Sequence, residues 1–207
     1  MFKIAFQNIK NYGILNFTLI VIYEIFNLFR FKNFDLFYDE SMTSSYEEVR
    51  KNYQKFNSPY LPTPFYILNI INNKIKKFNL NNYIFIDFGC GACRVINYFN
   101  KYFKKIIGID INSKFRNKLI SKKQLFINLD LRKFKELKKI IKKEKYILYF
   151  YEPFDLNLTK SIINLFKKHK CIIITINVTI ILNKKFKIIF RKDFNSINKN
   201  IIIYKLN

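Results

Sequence analysis

Five short apolar runs constrain the fold more than any other feature of the chain: YIFIDF (83–88), KIIGID (105–110), QLFINL (124–129), YILYFY (146–151) and CIIITINV (171–178). They are apolar almost throughout instead of alternating, the pattern of strands covered on both faces. Segments with helical spacing separate them, at 93–103, 112–121, 132–144 and 156–169. Such alternation places a parallel sheet between two helical layers. The tail breaks the rhythm. KKFKIIF (184–190) and NIIIYKL (200–206) are two strands joined by a polar stretch, a hairpin, and no full helix fits between the fifth and sixth strands. The expected fold class is α/β: a doubly wound, mostly parallel sheet with a C-terminal antiparallel hairpin, preceded by an apolar N-terminal helix.

Residues 1–57 and 58–207 read as separate parts, an apolar helix with its connector and then the α/β domain. The helix, YGILNFTLIVIYEIFNLF (Tyr12–Phe29), is flanked by Lys3, Lys10, Arg30 and Lys32. Spanning a bilayer takes about 20 predominantly apolar residues. Asn16, Thr18, Glu24 and Asn27 interrupt this stretch, and a central Glu is costly in lipid. A helix docked on the domain, or lying peripherally on a membrane, fits better than a spanning one. No small-residue cleavage site follows, which argues against a secretory signal. Residues 35–58 read as loop plus a short helix. SPYLPTP (58–64) then holds three of the chain's four prolines, which makes it a stiff extended connector. A helix is expected over 65–78.

With 38 Lys and Arg against 14 Asp and Glu, the formal net charge is +24. Such a charge suits nucleic acid, anionic lipid or an acidic partner. Lys is nevertheless spread along the whole chain, and Asn, Ile, Phe and Tyr are over-used with it, so the charge reads first as compositional bias. Three cysteines, an odd number, argue against a disulfide framework and suit a reducing, cytoplasmic compartment. The single histidine, His169, leaves little room for a His-based metal site or a Ser-His-Asp triad. No metal is expected.

Ligands of doubly wound sheets bind at the C-terminal ends of the strands, so the residues that follow each run carry the functional signal. The first run leads into Asp87-Phe88-Gly89-Cys90-Gly91-Ala92-Cys93-Arg94, which holds two of only four glycines. Gly89 permits a tight turn and Gly91 lets a ligand approach the backbone. Arg94 stands where a dinucleotide fingerprint needs its third glycine, and the Lys-Ser/Thr ending of a P-loop is absent. Cys90 and Cys93 have redox-pair spacing, yet no second Cys or His pair accompanies them to complete a zinc site.

The Asp87-x-Gly89-x-Gly91 pattern resembles motif I of the class I S-adenosylmethionine-dependent methyltransferases. The likeness continues through IIGIDIN, where Asp110 lies 19 residues past Gly91, through NLD ending in Asp130, and through YFYEPF at the fourth strand end. The Pro-Thr-Pro of YLPTP resembles a subset of these enzymes that has a DFGSGKGR-like motif I and an NPF-like motif IV. The resemblance covers about 58–207. It implies a Rossmann-like domain that binds S-adenosylmethionine through Asp87, Gly89, Cys90 and Gly91, with the ribose on Asp110 and Ile111 and the adenine near Asp130. Tyr60 and Thr63 would close over the cofactor or fold back onto the sheet. Asp87 also reads as a loop or helix cap, Asp110 as a strand-end turn former, and Asp130 as an N-cap. The sequence departs from the pattern at Cys93, where the family has a third glycine, and at Glu152, where the subset has Asn. A catalytically degenerate, basic binding module is therefore a further reading.

The catalytic residues that the resemblance implies are Glu152, Pro153 and Phe154. Glu152 would accept a hydrogen bond or a proton from an amine, and Pro153 and Phe154 would form a stiff wall beside it. The acceptor implied by the Pro-Thr-Pro subset is a protein lysine-type amine. The alternative is an RNA base, because EPF is similar to the loop that holds a flat base in RNA-modifying relatives and the charge suits RNA.

Overall fold

The computed structural model describes residues 8–31, 62–113, 119–151, 156–180, 182, 185–196 and 199–206, with side chains 28–31 excepted. Helix α1 (Ile14–Phe31) precedes α2 (Phe65–Ile75). A 3-10 turn over Leu80–Asn82 leads into β1 (Tyr83–Phe88), then α3 (Arg94–Phe99), β2 (Lys105–Asp110) and β3 (Gln124–Asn128). After these come α4 (Phe134–Ile140), β4 (Lys145–Tyr151), α5 (Leu156–Leu165), β5 (Cys171–Ile176), β6 (Phe186–Asp193) and β7 (Asn200–Leu206).

The seven strands lie in the order β3-β2-β1-β4-β5-β7-β6. β1 to β5 are parallel, and β7 pairs antiparallel with both β5 and β6. The expected doubly wound sheet with its C-terminal hairpin is what the chain forms. Its five apolar runs are buried because helices cover both faces. Phe85, Ile147, Ile172 and Ile203 belong to a core on one side, and Ile86, Leu148, Ile173 and Ile202 to a core on the other. The winding reverses between β1 and β4, which opens a crevice at their C-terminal ends.

Two helices are shorter than the spacing suggests. Over 93–103 only Arg94–Phe99 is helical, because the chain tightens into three-residue bonds at Asn100 and Tyr102. Over 132–144 only Phe134–Ile140 is helical. There the run of like-charged lysines disfavours further turns, and Ile141 is already extended (ψ 120). Of the helix expected over 112–121, residues 114–118 lie outside the described residues, and the flanking residues described form no α-helix. Between β5 and β6 none of the described residues is helical, as expected.

Helix α1 docks on the domain through a polar contact inside an apolar one. Glu24 accepts the Phe65 backbone N–H through Oε1 (2.8 Å) and the Arg94 Nη1 donor through Oε2 (2.8 Å). One carboxylate thus satisfies an orphan amide at the start of α2 and neutralises a buried guanidinium, whose side chain is 5% exposed. Arg94 also lies over the Phe65 ring, 4.7 Å from its centroid. Ile20 and Tyr23 pack against the core, and Tyr12 meets Phe194 edge-on. The opposite face of α1 is unpacked, with Ile14, Leu15, Val21, Ile22, Ile25 and Phe26 exposed. No described helix is long and apolar enough to cross a membrane.

Breaking a buried ion pair from one side leaves an uncompensated charge, at about 3–5 kcal/mol. Glu24→Ala should therefore destabilise the protein by about that much in urea unfolding and expose α1 to protease. The double variant Glu24→Met/Arg94→Met should recover most of the loss.

Candidate functional site

The chain leaving β1 at Phe88 turns sharply back over the sheet to start α3, and this turn builds the site. Gly89 (φ +78°), Gly91 (φ +46°) and Cys93 (φ +65°) are all left-handed. For Cys93 that conformation costs about 1–2 kcal/mol. Two glycines make the rest of the turn accessible. The loop is strapped to the end of β2, because the Gly89 and Cys90 N–H groups both donate to the Ile109 carbonyl (2.8 and 3.2 Å). Close approach is possible because residue 108 has no side chain. A Cβ at Gly108 would overlap Ile96 Cδ1 and stand 2.8 Å from Cys90 Sγ.

Asp110 joins the loop from β2. Its Oδ2 accepts the Gly91 N–H (2.9 Å) and its Oδ1 accepts the Asn112 N–H (2.8 Å). The carboxylate keeps lone-pair capacity for a ligand. Burial raises the Asp110 pKa, and the backbone donors at Asn112, Gly91 and Ile111 pull it back down. Ile111 is half-buried, and its carbonyl accepts from Asn128 Nδ2 (2.6 Å).

Asp87 is the most strained polar group of the site. It is 3% exposed, and Oδ2 has no hydrogen-bond partner. Burial, and then repulsion from Asp110, hold its pKa well above the usual carboxylate range. Asp87 pairs in register with Tyr149 of β4, and the Tyr149 hydroxyl lies 2.7 Å from Thr63 Oγ1. Thr63, 3% exposed, therefore folds back onto the sheet at the Tyr149 hydroxyl.

Asp130 is engaged locally. It accepts the Arg132 backbone N–H (3.0 Å) and pairs with the Arg132 guanidinium through both oxygens, which lowers its pKa. Lys133, not Asp130, is the N-cap of α4. Cys90 and Cys93 are buried, with Cys93 Sγ directed at the Gly91 carbonyl (3.6 Å). Burial pushes the Cys90 thiol well up, which disfavours the thiolate that redox chemistry needs. Cys171 is pushed up to about 12 by the same cause. Among the described residues no three His, Cys, Asp or Glu side chains gather as a metal site. Tyr60, Glu152, Pro153 and Phe154 lie outside the described residues; Glu152 follows directly on the last residue of β4.

One polar residue at this rim went unrecognised in the sequence. Asn177 follows the last residue of β5 in the left-handed conformation (φ +57°), 7% exposed, and neither its side-chain oxygen nor its nitrogen has a partner. Its place just after a strand was the available signal. The apolar run CIIITINV masked it by reading as strand to residue 178.

Compared by sequence, the chain matches no protein-family model and no curated protein. Its fold has many counterparts among solved structures. An inferred methyltransferase of Escherichia coli superposes with a TM-score of 0.55 at 13% identity, covering 71% of this chain and 88% of that one. An rRNA methylase of Streptococcus thermophilus gives 0.51 at 12%, covering 71% and 98%. A SAM-dependent methyltransferase of Anabaena variabilis gives 0.51 at 12%, covering 68% and 84%. At such identities the likeness establishes the fold, which is the Rossmann-like fold of the class I methyltransferases.

The residues present fit an adenosyl sulfonium ligand. The unpartnered Asp87 oxygen is an acceptor for an ammonium, Asp110 holds two oriented oxygens for a pair of hydroxyls, and Gly89 leaves the turn exposed between them.

An acid whose pKa is raised on folding binds its proton more tightly in the folded state. The stability it contributes is present at low pH and is lost as pH rises from the ordinary carboxylate value, about 4, towards the raised one. The ligand-free protein should therefore weaken over that range. Asp87→Asn should flatten the slope and be the more stable protein at pH 7, as read from urea midpoints between pH 4 and 8. Lower stability of the variant at pH 7 would show that Asp87 has a partner when ionised.

Proposed function

We propose that the chain is an S-adenosylmethionine-dependent N-methyltransferase. The observation that carries this reading is the pairing of a glycine turn with Asp110, strapped together by the Gly91 N–H bond and flanked by the unpartnered Oδ2 of Asp87. Asp87 would hold the amino group of the cofactor and Asp110 its ribose hydroxyls. When bound, the cofactor supplies an electrophilic methyl group. The chain's own part is alignment of a nucleophile with that methyl and exclusion of water. Glu152, directly after β4, would accept a proton from the acceptor nitrogen, and Pro153 and Phe154 would wall the acceptor on the far side. Asn177, at the end of the neighbouring strand β5, offers one donor and one acceptor to the same rim.

The acceptor we favour is a lysine-type protein amine, supported by the Pro-Thr-Pro lead-in and by the suitability of a carboxylate for an ammonium substrate. The second reading is an RNA base, favoured by the net charge of +24. Titration calorimetry with S-adenosylhomocysteine tests the cofactor. Asp110→Ala should weaken binding by at least about 100-fold, because two hydroxyls lose a charged acceptor at about 1.5–3 kcal/mol each. Asp110→Asn keeps the shape of the turn and should lie between. No heat from the wild type overturns the reading. Glu152→Gln should leave that affinity intact and slow methyl incorporation from labelled S-adenosylmethionine by about 100-fold or more. Label released by protease supports the amine acceptor; label released by ribonuclease replaces it with RNA.

The exposed face of α1 extends this proposal to a location. Six large apolar side chains face outward from a strongly cationic chain, a combination that suits the interface of an anionic bilayer. Flotation with phosphatidylserine-containing vesicles should recover the wild type, and Leu15→Asp/Phe26→Asp should stay in solution while still binding S-adenosylhomocysteine. Equal flotation of both proteins would remove the helix from the membrane contact.

A further inference from the structure

The end of the sheet opposite the glycine turn carries a hollow of about 1100 Å³. It is built from the residues that enter the parallel strands. Lys104 and Lys105 open β2, Lys122 and Lys123 precede β3, Lys143 and Lys145 flank the entry to β4, and Lys168 and Lys170 precede β5. Seven of these eight lysines are exposed and Lys145 is half-buried. Glu144 is the one acid in the lining. None of the eight ammonium groups is in an ion pair among the described residues. The entry to β1 adds the amides of Asn81 and Asn82 and the ring of Tyr83, over which Lys145 Nζ stands 6.0 Å from the centroid.

Sequence position alone made these lysines look like diffuse bias. The topology gathers them. Adjacent strands are about 4.8 Å apart, so the four gaps from β3 to β5 spread the charge along about 20 Å of rim. The basic rim continues across the hairpin, where Lys205 pairs in register with Ile172 at the start of β5 and with Lys187 of β6. Cations packed within a Debye length, about 8 Å at physiological salt, repel one another and draw in an anionic partner.

We propose that this basin is a docking surface for the phosphodiester backbone of a nucleic acid, separate from the crevice at the other end of the strands. A bilayer is disfavoured because Leu125 is the one large exposed apolar side chain in the lining, too little to anchor in lipid. The eight lysines form a row of point charges along about 20 Å of rim, which suits the evenly repeated phosphates of a nucleic-acid strand better than the scattered carboxylates of an acidic protein. The contact is therefore to backbone charge and not to sequence, and it depends steeply on salt. Each strand is about six residues, which puts the basin about 20 Å from the glycine turn. A bound strand leaves the crevice open, so the proposal does not depend on methyl transfer.

Fluorescence anisotropy on the full chain, with an unstructured 30-nucleotide RNA and the matching DNA between about 50 and 300 mM salt, provides the test. For single strands each neutralised phosphate adds about 0.7 to the slope of log affinity against log salt. Lys105→Gln/Lys122→Gln/Lys143→Gln should lower the slope by about 2 and the affinity by at least about tenfold at 100 mM salt. Lys133→Gln/Lys135→Gln/Lys160→Gln, at the opposite rim, should change neither. Affinity for S-adenosylhomocysteine and the thermal midpoint should be the same in both variants, which separates loss of the basin from loss of the fold or of the crevice. Both polymers share the backbone that is recognised, and the tighter one names the source. Equal losses in the two variants would show a diffuse charge effect and overturn the proposal. So would no binding of either polymer, or basin-dependent binding to anionic vesicles alone.

Discussion

The close contact between the first two strand ends sets the rest of this molecule. Gly108 has no Cβ, and that absence lets Ile96 of α3 and Cys90 of the turn settle on β2. With the turn that close, Asp110 reaches the Gly91 N–H, and Gly89 and Cys90 reach the Ile109 carbonyl. A side chain at 108 would push α3 off the sheet and open all three bonds together. The buried acid, the strained Cys93 and the turn are one unit. Their cost in backbone strain and buried charge marks the turn as a place shaped for a ligand and not for stability alone.

The second constraint is Arg94. A third glycine at the start of α3 would let the helix pack on the strand without a partner. A buried guanidinium needs an acid. Among the described residues Glu24 supplies it, from a helix distant in sequence, and the same carboxylate caps α2. This explains how an apolar segment with a central acid is used. The acid faces the domain, and the apolar side chains divide between the core and the outside. The membrane cost of that acid, read from sequence, is avoided because the acid is turned inward onto its ion-pair partner.

The legible parts of the sequence were those whose physics is local. Runs buried on both faces gave the strands within a residue or two, and Gly89, Gly91 and Asp110 gave the turn and its acid from spacing. Arg94 stood out in the sequence as a charge in place of a fingerprint glycine, but its partner could not be named because Glu24 lies 70 residues away. Helix lengths at α3 and α4 were overestimated, since apolar spacing persists past the point where bonding tightens or lysines repel. Asn177 was hidden inside a strand-like run. Asp130 was read towards a base, and its carboxylate instead grips Arg132, two residues on. The basin was invisible for a topological reason. Its lysines are spread from 104 to 170, and only the parallel order of the strands brings their entries to one rim.

That order also biases the sign of the charges at the strand ends. Asp87, Asp110 and Asp130 stand at or just beyond the C-terminal ends of β1, β2 and β3, while the lysines stand at the N-terminal ends of β2, β3, β4 and β5. A bias towards Lys accounts for how many there are but not for this placement, because the strands are short and a lysine at either end would satisfy composition equally. The acids at one rim suit a cationic ligand and the lysines at the other suit an anionic one. Strands of about six residues hold the two fields about 20 Å apart, more than two Debye lengths at physiological salt. Neither rim cancels the other, so the two ends of one sheet are electrostatically independent.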